Sequence, residues 1–325
     1  MTGNRKERTL EIFFRGLRGE NISISKLADE YFVSEKNISR SISELKNFLA
    51  EHRDLVGNAE LRYSYQDKCY HLIIDDFLNS KELYALVEVM IGARAFSKME
   101  LLELVEKLKR FTTTLDRHKM QELIRREMYH YPEVKHDCDS VIESLWQIVD
   151  CIVKDCEISI DYYRMDRIRV NRRIRPASIM FTDHYFYLIA FKTDSNIDTP
   201  YYFRVDRIIH ITKHRKGDGG PKYPEFDEGM LRRRSLFMFP GKLQTIRFEY
   251  RGPSVQAVLD KLPTSKVIER KIGGAYLMEA EVYGDGIKMW LLSQGSWITV
   301  IAPQDFVDEM RSEIKKMLEA YGEVK

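Results

Sequence analysis

Cysteine is scarce, with four in 325 residues. Cys69, Cys138, Cys151 and Cys156 fall at spacings that match no zinc or redox template. That excludes a disulfide framework and points to reduced thiols in a cytoplasmic setting. Long apolar runs are missing too. None approaches the ~18 residues a membrane span needs, and the first eight residues, Met1 to Arg8, carry no apolar signal-peptide core. No membrane association is expected. Charge of one sign is almost absent: 52 Lys and Arg against 50 Asp and Glu leave a net +2. An anionic partner must therefore be met by local patches, not by the chain as a whole.

Catalytic signatures are lacking as well. No His-Glu-x-x-His pair offers metal-ligand spacing, and no Gly-x-Ser-x-Gly elbow is present. The turn-rich stretch Lys216–Pro221 lacks the Gly-Lys-Ser/Thr and helix that a phosphate loop requires. Asp183 and His184 form a dyad only in a turn ahead of a strand. Asp161, Asp166 and Asp206 are three carboxylates that a Mg²⁺-dependent hydrolase or nuclease can use, but each adjoins arginines that compete with a metal for it. The expectation is a binding protein, not an enzyme, with no cofactor and no metal.

What the chain does have is arginine, concentrated between Ile158 and Arg215. The segment 158–163 alternates apolar and polar residues as a half-buried strand does. Arg164, Arg167, Arg169, Arg172, Arg173 and Arg175 follow, opposed locally only by Asp166. Tyr185–Phe191 reads as an aromatic strand, and Phe203–Ile211 as another alternating one that adds Arg204 and Arg207. So many guanidiniums repel one another unless solvent, acidic side chains or a ligand offsets the charge. Guanidiniums suit phosphate oxygens, and tyrosines supply faces for base stacking. The candidate anion site is Tyr162, Arg172, Arg173, Arg175, Tyr187, Arg204 and Arg207. If 203–211 is one strand, Arg204 and Arg207 lie on opposite faces, and one of them is structural.

Toward the N-terminus, Leu10, Phe13, Phe14 and Leu17 have helical spacing, and Gly19 stops that helix. A short second helix holds Leu27, Ala28 and Tyr31. After a turn at Val33 and Ser34, a third carries Ile38, Ile42, Leu45 and Leu49 on its inner face. A hairpin over 61–74 follows. This is a helix-turn-helix order with a wing. Ser34, Lys36, Asn37, Ser39 and Arg40 on the third helix are the candidate DNA contacts, since such side chains donate to phosphates and base edges. Residues 1–75 hold twelve cations and twelve carboxylates, so two copies are expected to share one operator.

Capping boxes at Asn79–Glu82, Ser97–Glu100 and Ser140–Glu143 announce helices. The apolar stripes Leu83 to Ile91 and Leu101 to Leu108 must be buried, in an intrachain bundle or a dimer. From Gln244 the pattern is strand, helix, strand, helix, strand, helix, an α+β sandwich order. The expected divisions are 1–75 (winged helix-turn-helix), 76–138 (helical linker), 139–216 (arginine-rich domain), 217–240 (linker) and 241–325 (C-terminal domain).

Phe186-Tyr187-Leu188, the run Phe203 to Ile208, and Arg172 and Arg173 ahead of Ile174-Arg175-Pro176 together resemble the WYL domain of bacterial transcription regulators. Phe186 stands where that family usually has tryptophan. Ile24 to Leu45 is similar to the winged helix of DeoR-type regulators, with Ser39 where a second arginine is common. Gln294 to Val300 and Pro303 look like the extension that follows WYL domains. The resemblance implies an α+β multidomain chain with a small Sm-like barrel that binds nucleotides or oligonucleotides. The resulting expectation is a homodimeric, ligand-responsive regulator. It would bind a double-stranded DNA operator and sense an anionic ligand such as a single-stranded oligonucleotide or nucleotide. The alternative is an accessory nucleic-acid-binding protein without a transcriptional role.

Overall fold

A computed structural model describes residues 4–74, 78–112, 114–193, 200–214, 228–239 and 241–322. The stretch 216–221 lies outside the described residues. The chain divides into two compact units, Met1–Val134 and Lys135–Lys325.

The first unit opens with α1 (Arg5–Leu17), α2 (Ile24–Tyr31), α3 (Glu35–Glu51) and the single turn α4 (Arg53–Val56), then β1 (Glu60–Ser64) and β2 (Cys69–Ile73). Ile38, Ile42, Leu45 and Leu49 of α3 repeat at helical spacing and are buried against Ile12, Leu27 and Leu61. Truncating one of these to alanine costs about 2–5 kcal/mol in a core of this kind. Ser34 sits at the α3 N-cap, but its hydroxyl makes no capping bond. Its carbonyl accepts instead from the Asn37 N–H at 2.8 Å. Gly16 lets α1 close on the hairpin, because a Cβ there would lie 2.8 Å from the Leu72 Cβ. β1 and β2 pair antiparallel, and Ile22 adds a bridge to Tyr70 on the far edge of β2.

α5 (Ser80–Ala93), α6 (Lys98–Lys109) and α7 (Thr114–Tyr129) complete this unit. The capping boxes at Asn79 and Ser97 are both made. Leu83, Val87, Ile91, Leu101 and Val105 are buried, and Val87, Ile91, Leu101 and Val105 pack with Met120, Ile124 and Met128 of α7. Most of the two apolar stripes is thus satisfied within the chain.

The second unit begins with α8 (Val141–Val153), where Ser140 Oγ accepts from the Glu143 N–H at 3.2 Å. Then come β3 (Ile158–Tyr163), β4 (Arg169–Thr182), β5 (Tyr185–Lys192), β6 (Tyr201–Arg204) and β7 (Ile208–Lys213). They form one antiparallel sheet in the order β6-β5-β4-β3-β7. Among the described residues no pairing joins β6 to β7, and closure of the sheet into a barrel is not seen. The strand expected over 203–211 is also interrupted. Val205–Arg207 is a 3₁₀ turn, because β6 and β7 lie at opposite ends of the sheet and the chain must leave one edge to reach the other. α8 lies over one face, with Ile148 and Cys151 buried against Ile158, Ile160, Ile174, Leu188 and Phe203.

α9 (Glu228–Arg234) leads into β8 (Leu243–Tyr250), α10 (Val255–Lys261), β9 (Lys266–Arg270), β10 (Tyr276–Tyr283), α11 (Gly286–Ser293), β11 (Ile298–Ala302) and α12 (Gln304–Tyr321). Four strands in the order β11-β8-β10-β9 bury Phe248, Met278 and Val300 against Ile287, Trp290 and Phe306 of the helices. Leu231 and Met238 pack on Met180 and Ile189 of the five-stranded sheet, with Tyr187, Tyr202 and Tyr283 around them. That contact joins the two sheets of this unit.

Candidate nucleic-acid and ligand interface

Two groups of side chains stand out. The first is the outer face of α3. With Ile38, Ile42 and Leu45 turned inward, Lys36, Arg40, Ser43 and Asn47 fall on the exposed side at helical spacing. Asn37 and Ser39 are half-buried at its margin. Among the described residues neither Lys36 nor Arg40 takes part in an ion pair. Ser43 is less available, because its hydroxyl donates to the Ser39 carbonyl at 2.9 Å. The turn into α3 places Phe32 in the left-handed region (φ 55°), with the residue 81% exposed.

The second group is the arginine-rich sheet, and here most of the charge is already matched. Arg167 makes a two-pronged contact to Asp137 at 2.8 and 3.0 Å. Arg169 reaches Asp161 at 2.7 Å, Arg173 reaches Glu157 at 2.9 Å, and Arg175 reaches Asp155 at 2.8 Å. Arg164 lies 3.1 Å from Asp166. Hydrogen bonds from Asn171 and Arg169 hold the Asp161 carboxyl below the usual carboxylate range.

Strand alternation also divides the seven expected residues. Arg172 and Tyr162 share the face that holds Ile160, Ile174 and Phe203, where Tyr162 packs edge-on to Phe203 at 5.4 Å. Arg173, Arg175, Tyr187 and Arg204 belong to the opposite face. Tyr162 is therefore part of the packing under α8. The structure brings Tyr187, Arg204 and Arg207 together and leaves the rest apart.

At that centre Tyr187 and Arg204 are direct cross-strand partners. The Arg204 guanidinium lies 3.3 Å from the Tyr185 ring centroid and donates to both Asp206 oxygens, at 3.0 and 2.7 Å. The Arg204 and Asp206 side chains are only 17% and 4% exposed. Burial works against the charge of Asp206, yet His136 and Arg204 hold its carboxyl below the usual range. Burial pushes the Tyr187 hydroxyl up, and the nearby Arg204 and Arg207 charges partly offset it. Arg207, half-buried in the 3₁₀ turn, has no ion pair among the described residues. Neither has Arg172, whose guanidinium donates to the Asn171 carbonyl at 3.2 Å.

His136 was not foreseen. Its side chain is buried, 3.6 Å from Asp206 through Nδ1, and neither ring nitrogen has a hydrogen-bond partner among the described residues. The Asp206 carbonyl accepts from the Asp137 and Cys138 N–H groups at 2.9 and 3.0 Å, which fastens this segment to the turn. A lone histidine 70 positions ahead of its carboxylate gives no sequence signal.

Residues 143–213 match the family model of the WYL domain, and residues 244–318 match that of the WCX domain. The chain contains a WYL domain. The β3–β7 sheet with α8 is that domain, and the β8–β11 sheet with its helices is the WCX domain. Two solved structures are similar at low identity. Proteasome accessory factor B/C (PafBC) of Arthrobacter aurescens is 14% identical with a TM-score of 0.31; the match covers 98% of this chain and 48% of that one. A CRISPR Cas-related protein is 14% identical with a TM-score of 0.39, covering 90% of this chain and 88% of that one. The chain thus spans about half the length of PafBC. A search of the curated proteins finds no match. Among the described residues no helix is long and apolar enough to cross a membrane.

Proposed function

We propose that this WYL-domain protein is a cytoplasmic transcription regulator that binds rather than transforms its partners. In this reading α1–α3 and the β1–β2 hairpin are a winged helix-turn-helix, and α3 enters the major groove of an operator. The observation that carries it is the outer face of α3, where Lys36 and Arg40 are exposed and, among the described residues, free of ion pairs beside Asn37 and Ser39. The WYL domain, an Sm-like module, senses an anionic, nucleic-acid-derived ligand at Tyr187 and Arg207, beside the Arg204–Asp206 pair. Each phosphate contact there releases counterions and makes binding salt-dependent.

Two copies are expected to act together. On α12 the buried stripe Phe306, Val307 and Met310 runs on into Ile314, Met317, Leu318 and Tyr321, which are 53%, 44%, 70% and 85% exposed. A symmetric dimer covers such a stripe and doubles the phosphate contacts of a winged helix with balanced charge.

The test is a gel shift on DNA from the chain's own promoter region. Replacing Lys36, Asn37 and Arg40 together by alanine is expected to abolish the shift with the helical circular-dichroism signal intact, each base contact being worth about 1–3 kcal/mol. Unchanged binding by the folded triple variant removes α3 as the reader. Binding that ignores sequence in the wild type favours an accessory nucleic-acid-binding role over regulation.

A further inference from the structure

The β1–β2 hairpin holds a second cluster of reactive side chains, distinct from the α3 face. Asp67 lies in its turn, and Cys69 and His71 follow on β2, two residues apart and so on the same face. Cys69 Sγ is 3.3 Å from His71 Nε2, and His71 Nε2 is 3.2 Å from Asp67 Oδ2. All three ligand atoms lie within 4.8 Å of one another. A tetrahedral zinc ion with bonds of roughly 2.0–2.3 Å holds its ligands at roughly 3.3–3.8 Å from one another.

The atoms that hydrogen-bond one another here are the same ones a cation would need. Nε2 of a neutral imidazole carries either one proton or one lone pair. Between a carboxylate oxygen and a thiol it bonds one of them at a time, and Asp67 Oδ2 also accepts from the Ser64 hydroxyl. A cation between the three atoms satisfies all of them. Cys69 is also buried, at 3% exposure. The apolar core takes Leu61, Tyr70 and Leu72 from the opposite face of the hairpin.

The surroundings are built to hold the cluster in place. Ser64, directly across from Cys69, donates its hydroxyl to Asp67 Oδ2 at 2.9 Å and accepts from the Asp67 N–H at 3.2 Å. Such outer hydrogen bonds orient a ligating carboxylate. β2 is pinned on its other edge by the Ile22–Tyr70 backbone pair, at 2.9 and 2.8 Å.

We propose that Asp67, Cys69 and His71 bind one divalent cation of the zinc class, with the fourth position open to water. Thiolate and imidazole favour zinc over magnesium or calcium, which take oxygen ligands. On binding, the Cys69 S–H bond breaks, its proton goes to solvent, and the sulfur electron pair forms the metal bond. The carboxylate and thiolate then neutralise the ion. The short Asp-x-Cys-x-His spacing falls outside the zinc-finger templates, which is why cysteine spacing alone passes over it.

The experiment titrates Co²⁺ into the reduced, metal-free full chain. One equivalent is expected to produce a thiolate-to-cobalt charge-transfer band with tetrahedral visible bands, all displaced by Zn²⁺. Cys69→Ser abolishes the charge-transfer band, whereas Cys138→Ser and Cys151→Ser retain it. Asp67→Asn, in an exposed turn where folding is not at issue, weakens cobalt binding by about tenfold or more. A wild type without these bands, or bands that survive in Cys69→Ser or are indifferent to Asp67→Asn, overturns the assignment.

Discussion

The α3 face and the WYL sheet both look basic as sequence, and they differ in what their charges touch. Lys36 and Arg40 on α3 meet no carboxylate among the described residues. In the sheet, Arg164, Arg167, Arg169, Arg173, Arg175 and Arg204 each have one. A run of arginines in a sequence therefore does not measure the positive charge available to a ligand. An incoming anion at a paired arginine must displace a carboxylate that is held in place by the fold. At an unpaired one it displaces only water and counterions. By this criterion Arg172 and Arg207 are the open arginines of the sheet among the described residues, and Arg204 is the one built into it.

The largest expected effect follows from that last point. Arg204→Ala leaves Asp206 buried without its cation, which is expected to cost about 3–5 kcal/mol in a urea unfolding experiment. A ligand-only role for Arg204 predicts unchanged stability instead. Acid titration sharpens the test. The Asp206 carboxyl lies below its ordinary value in the folded chain. Its contribution is therefore present above the unfolded value, about pH 4, and is lost as pH falls through the folded one. Asp206→Asn flattens the acid limb of stability.

A smaller effect is expected on the same face of the sheet. Burial pushes the Tyr202 hydroxyl up to about 12. The neutral form is the one the fold favours, so its contribution is complete below pH 10 and lost as pH rises toward 12. A two-unit rise corresponds to about 3 kcal/mol. Tyr202→Phe is expected to remove that share of alkaline lability from the WYL–WCX unit. If the alkaline limb is unchanged, the face that carries Arg204 is more solvated than the structure indicates.

Local interactions were legible in the sequence. The capping boxes at Asn79 and Ser97 and the alternation of β3, β8 and β10 need only a few neighbouring residues, and they form. What was not legible depends on distant partners. Asp137, Asp155 and Glu157 sit 16 to 30 positions from the arginines they bind, and nothing local announces them. Phe203 to Ile211 reads as one strand overall, yet Arg207 and Ile208 fall out of its alternation, and the 3₁₀ turn at Val205–Arg207 lies there. β9 was missed because all five of its residues are exposed, which leaves no apolar period to detect. The anion site was legible in its residue types but not in its grouping. Arg172 and Arg173 are adjacent in sequence and on opposite faces of β4.

The difference between free and paired cations is tested most directly by the salt dependence of operator affinity. Two double variants remove the same charge: Lys36→Ala with Arg40→Ala, and Arg167→Ala with Arg169→Ala. Fluorescence anisotropy on labelled operator DNA, from low to physiological salt, gives the slope of log affinity against log salt. The α3 pair is expected to reduce that slope by about one for each cation that touches phosphate, and the sheet pair to leave it unchanged. Equal losses from the two pairs would contradict the account.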